Sequence, residues 1–138
     1  MCIRDSANCI DAIDLAAYCS HNFDHVIYPH SLEEYILNRY KSKKEKTKYS
    51  IFYTVLDEQI SLDNLNLNTL DGLKERHAFV GYESRTGTIF PCIATVYKNI
   101  DFIEKYLGDD SNNKESLLNP SQLFDMHQNL LILEEAHG

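Results

Sequence analysis

The chain has 138 residues, enough for one domain or part of one, and its 43% apolar content is ordinary for a packed fold. A net charge of −8 argues against nucleic acid as a main partner, because phosphate backbones are gripped by Lys and Arg. No apolar run approaches the roughly 20 residues that span a bilayer, so no membrane partner is expected.

Residues 1–6, Met-Cys-Ile-Arg-Asp-Ser, resemble the translation of a sequencing-library adapter and are set aside as a non-native scar. Residues 7–138 then read as one incomplete domain whose native N-terminal part is missing. Cys9, Cys19 and Cys92 remain, an odd number with no C-x-x-C pair. That pattern argues against a disulfide framework and for a reducing, cytoplasmic setting.

In chain order, 7–18 carries apolar residues at helical spacing. A short strand is expected over 24–28, stopped by Pro29. Ser31 and Glu34 have the spacing of a capping box opening a helix to about Tyr40. The basic run 39–48 reads as a solvated helix end and loop. Residues 49–56 are continuously apolar and β-rich, as in a strand buried on both faces. Asp57 and Glu58 follow it, where open α/β sheets place ligands and where turns also place carboxylates. The leucines of 62–76 suit one broken helix or two short ones.

Residues 78–97 read as a β-hairpin: two β-rich arms around Ser84-Arg85-Thr86-Gly87, with Glu83 and Arg85 paired near the turn. Pro91 would lie at an edge or bulge. A helix is expected over 99–107, ended by Gly108. A last helix over 120–137 is capped by Asn119 and opened by Pro120. It carries more apolar residues than a docking stripe requires, so Leu131 or Ile132 should stay partly exposed. The missing N-terminal region or a partner subunit would pack there. The fold class expected is α+β or α/β, a small mixed sheet of at least three strands packed with helices.

Cys19, His21, Asp24, His25 and His30 are the one cluster of ligand-type residues. His21 and His25 share a face if the segment is helical, and Asp24 can ligate a metal or orient a histidine. Ser20-His-Asn-Phe-Asp-His25 resembles the H-x-H-x-D-H metal motif of metallo-β-lactamase-fold hydrolases. Asp24 and His25 match its last two places, while Ser20 and Asn22 stand where its first histidines belong. His21-Asn-Phe-Asp-His25 is also similar to the H-N-x-x-H signature of HD-type phosphohydrolases and cyclic-nucleotide phosphodiesterases. That resemblance implies His21 as proton donor and His25 as metal ligand. The later His-Asp pair of that family is absent from this sequence. The function expected is therefore a fragment of a metal-dependent hydrolase, with His21 catalytic and Asp24 and His25 holding a divalent metal. The alternative is a non-catalytic binding or structural domain of a larger protein. No dinucleotide fingerprint, Walker loop or nucleophile elbow occurs.

Overall fold

The computed structural model describes residues 2–4, 24–42, 48–55, 64–108 and 117–138. Five strands form one sheet: β1 (Cys2–Arg4), β2 (His25–Pro29), β3 (Lys48–Tyr53), β4 (Val80–Ser84) and β5 (Phe102–Lys105). Their spatial order is β1-β2-β3-β4-β5, and every neighbouring pair is parallel. Among the described residues four α-helices accompany them: α1 (Glu33–Ser42), α2 (Thr69–Arg76), α3 (Phe90–Ala94) and α4 (Pro120–His137). The fold is α/β, as expected, but the sheet is wholly parallel rather than mixed. Residues 2–4, set aside in the sequence as a scar, take the edge place beside β2.

The sheet has two unlike faces, because side chains alternate along each strand. On one face Val26, Tyr28, Ile51, Tyr53, Val80 and Tyr82 form the core. They meet Ile36 of α1, Leu70 and Leu73 of α2, Cys92 of α3 and Met126 of α4. All four described helices thus serve one face. The rings of Tyr53 and Tyr82 stack at 6.4 Å, and the Tyr53 hydroxyl donates to the Leu65 carbonyl at 2.9 Å. The second face carries Ser50, Phe52, Gly81, Glu83, Phe102 and Glu104. Ser50, Ile51, Phe52 and Tyr53 are all buried, as a strand covered on both faces requires.

Sequential order without reversal is the strand order of a (β/α) barrel. Among the described strands there is no change of winding direction of the kind that marks doubly wound sheets.

Three local expectations fail. The hairpin over 78–97 is not formed: its first arm is β4, but Phe90–Ala94 is α3, followed by a 3-10 turn at Thr95–Lys98. A parallel neighbour cannot be reached through a tight turn, so the chain must cross back, and helical turns do that here. Pro91 lies in the first turn of α3, where a missing N–H costs nothing. The helix over 99–107 is likewise replaced. Asn99 is left-handed at φ 50° and ends the 3-10 turn. The Asp101 carboxylate then accepts from the Val80 N–H at 2.7 Å, and its own N–H donates to the Val80 carbonyl at 2.8 Å, which docks β5. Finally, Ser31 makes no cap: it lies in a 3-10 turn, His30–Leu32, whose N-cap is Pro29, and α1 begins at Glu33.

Of the helical segment expected at 62–76, Thr69–Arg76 forms α2, and positions 62 and 63 lie outside the described residues. The strand expected at 24–28 is β2, and the last helix is α4. Asn119 accepts from the Gln122 N–H at 2.8 Å while the Gln122 side chain accepts from the Asn119 N–H at 2.9 Å. Leu131 and Ile132 are 48% and 62% exposed, as their surplus on this helix implied. The helix expected at 7–18 and the carboxylates Asp57 and Glu58 lie outside the described residues.

Gly81 and Phe102 are register partners on β4 and β5, and the Phe102 ring lies where a Cβ on Gly81 would go. Gly81→Ala should therefore destabilise the fold by about 1–3 kcal/mol, read by urea unfolding. Adding Phe102→Ala should return part of that loss. Strictly additive losses in the double variant would show that the ring is not the obstacle.

Candidate functional site

Because every strand is parallel, all C-terminal strand ends lie along one edge. That edge is where α/β folds place their ligands. It receives His30 after β2, Thr54 after β3, Glu83 to Thr86 from β4, and Lys105 and Tyr106 from β5.

Glu83 is the centre of this edge. Its side chain has no exposed surface, and a buried carboxylate needs partners. Arg85 Nε donates to Glu83 Oε1 at 2.9 Å, and the Tyr106 hydroxyl donates to the same oxygen at 2.9 Å. The Arg85 guanidinium carbon stands 5.7 Å from the Tyr106 ring centre, a cation–π arrangement. Glu104 is the register partner of Glu83 and shares its face. The Glu83–Arg85 pairing that the sequence suggests is present, at a strand end rather than in a hairpin.

The other parity does different work. Ser84 and Lys105 are register partners facing the helices. Lys105 Nζ donates to Ser84 Oγ at 2.9 Å, to the Thr86 carbonyl, and to the Thr88 carbonyl at 3.2 Å. One ammonium thereby fastens the loop that carries Arg85. Burial pushes the Lys105 pKa below its ordinary value, opposed by the nearby Cys92. Burial likewise pushes the Cys92 thiol up, against a hydrogen bond from Ser84 and the charge of Lys105.

His30 and Thr54 complete the edge. The Thr54 hydroxyl and His30 Nδ1 are buried and have no hydrogen-bond partner among the described residues. The His30 ring packs 4.8 Å from that of Tyr53. Burial is the main reason its pKa is lowered, opposed by the Glu33 charge and a backbone hydrogen bond at Phe52.

The residues singled out in the sequence lie elsewhere. Asp24 and His25 are at the N-terminal start of β2, the opposite edge of the sheet. His25 Nε2 is 2.8 Å from Ser50 Oγ, and its ring lies 6.3 Å from that of Phe79. His21 is outside the described residues, so the expected trio is not placed as a whole. Among the described residues, no three His, Cys, Asp or Glu side chains come together as a metal site.

A second polar cluster joins the helices to the sheet. Arg76 holds Glu33 through two donors at 2.6 and 3.2 Å. The buried His77 ring lies between Glu33 Oε1 at 2.7 Å and the Tyr49 hydroxyl at 3.2 Å. The Arg76 hydrogen bond leads in holding the Glu33 carboxyl below its ordinary range. Both ring nitrogens of His77 are engaged within the protein, so this cluster ties α1, α2 and β3 together.

No family profile matches the chain, and no curated protein matches it either. Its fold is similar to the crystal structure of a protein described as spore coat polysaccharide biosynthesis protein E from Chromobacterium violaceum. The TM-score is 0.84 at 18% identity, covering 99% of this chain and 44% of that one. The chain thus spans less than half the length of that protein. At this identity the likeness establishes the fold.

The His30 environment predicts a pH dependence. The unfolded chain protonates this imidazole near its ordinary value of about 6.5, while the folded protein resists until lower pH. The unfolded state therefore binds more protons in that window, and stability falls as pH drops through it. The urea midpoint should decrease from pH 7 to 5.5, and His30→Asn should flatten that slope. An unchanged slope in the variant would show that His30 is not the responsible group.

Proposed function

We propose that this chain is part of a (β/α) barrel that binds a sugar or sugar derivative in polysaccharide biosynthesis. The observation that carries this reading is the convergence of buried Glu83 with Arg85 and Tyr106 at the C-terminal ends of β4 and β5. Sugars present alternating donors and acceptors, so a site for them needs a fixed carboxylate, fixed N–H and O–H donors, and an aromatic surface. Glu83, Arg85 and Tyr106 supply these together. Buried Glu83 would hold Arg85 and Tyr106 in position, and Tyr106, 38% exposed, would offer its ring and hydroxyl to the sugar at the rim. The described function of the Chromobacterium violaceum protein, which shares the fold, supports a carbohydrate ligand. Leu131 and Ile132 would be covered by polypeptide that completes the barrel.

The reading is tested by NMR titration of the purified chain with glucose, mannose and N-acetylglucosamine. Amide shifts should cluster at 83–86 and 105–107 and should weaken about tenfold in Tyr106→Phe, the loss of one hydrogen-bonding group in the site. Shifts confined to the opposite edge, around His25 and Ser50, or no shifts at millimolar sugar, would refute it.

A further inference from the structure

We infer that Arg85 is an oxyanion receptor, and that its outer guanidinium edge takes the carboxylate or phosphate of an acidic sugar derivative. This deepens the proposal above and rests on it for the sugar portion of the ligand.

A guanidinium has five N–H donors in a planar fork. Glu83 takes the one on Nε, at 2.9 Å. Among the described residues no group bonds Nη1 or Nη2. The end-on edge formed by these two nitrogens is the geometry that binds a carboxylate or phosphate through two parallel hydrogen bonds. The Arg85 side chain keeps 22% of its surface open to solvent.

The receptor is built before any ligand arrives. Glu83 fixes Nε, the Tyr106 ring lies against the guanidinium, and the Lys105 ammonium holds the loop backbone at Thr86 and Thr88. Holding the side chain in advance reduces the ordering cost of binding. Glu83 is itself an anion, but it sits on the Nε side, with the guanidinium between it and the free edge. Thr54, 3% exposed, adds a second sign of a ligand: its hydroxyl, at the end of the neighbouring strand on the Glu83 face, has no partner among the described residues. A bound oxyanion or sugar hydroxyl would satisfy it.

The chain, labelled with ¹⁵N-arginine, is titrated with glucose, glucuronate, glucose 6-phosphate and inorganic phosphate. The acidic probes should shift the Arg85 guanidinium signals and bind at least about tenfold more tightly than glucose, the range expected for a charge-assisted pair. Arg85→Gln should erase that advantage. Arg85→Lys should keep only part of it, because an ammonium cannot present two parallel donors. The glucuronate and phosphate arms separate a carboxylate ligand from a phosphorylated one. The wild-type guanidinium signals report the site directly, so the test holds even where a variant unfolds. Equal binding of glucose and the acids, or a preference that survives in Arg85→Gln, would overturn the receptor and leave the sugar reading standing. A response at Arg85 to inorganic phosphate with none to any sugar would support the receptor and remove the sugar reading. Silence toward all four probes would overturn both.

Discussion

Every strand of this sheet enters from the same end, and that single constraint shapes the rest. A strand that must lie parallel to its predecessor cannot follow it through a two-residue turn. After Ser84 the chain therefore leaves the sheet, makes α3 and a 3-10 turn, and returns at Phe102. The same constraint gathers the polar strand ends on one edge. Glu83 and Tyr106 are far apart in sequence, yet the β4–β5 register brings them to hydrogen-bond distance.

Strand alternation then divides the labour at that edge. Lys105 and Ser84 face the helices, where the ammonium meets carbonyl oxygens and ties down the loop. Glu83 faces the other way, toward Arg85 and Tyr106. A one-residue slip in β5 would exchange the two roles, sending Lys105 to the Glu83 face and withdrawing Tyr106. The contact between Gly81 and Phe102 opposes such a slip, because only a residue without a side chain leaves room for that ring.

Much of the fold was legible in the sequence, and the failures have physical causes. β3 was readable because its run is short, dominated by aromatic and β-branched residues and shows no alternation, as suits a strand buried on both faces. α4 was readable from Asn119-Pro120, two residues whose chemistry is local to a helix start. Residues 88–97 misled because Thr, Ile, Val and Tyr fit strands, yet that preference expresses packing opportunity rather than a backbone rule. The sheet had no place for an antiparallel arm, so tertiary context overrode composition. At 99–107 the apolar residues Ile100, Ile103, Tyr106 and Leu107 imitate helical spacing. What decided the matter was nonlocal: the Asp101 carboxylate on the Val80 N–H.

The candidate site was less legible for a related reason. Ligand-type residues crowded between Cys19 and His30 make a conspicuous local pattern, but crowding along the chain is not convergence in space. Asp24 and His25 begin β2, whereas His30, a few residues later, lies past its other end. A strand of five residues is enough to send neighbours to opposite edges of the sheet. Glu83 and Arg85 were visible as a pair, and their ion pair formed, but nothing local marked Tyr106 as the third member. Identifying it requires knowing that β5 is a strand, that it is parallel to β4, and that Ser84 stands opposite Lys105. Such a site becomes readable only after the register is known, because the register determines which side chains share an edge.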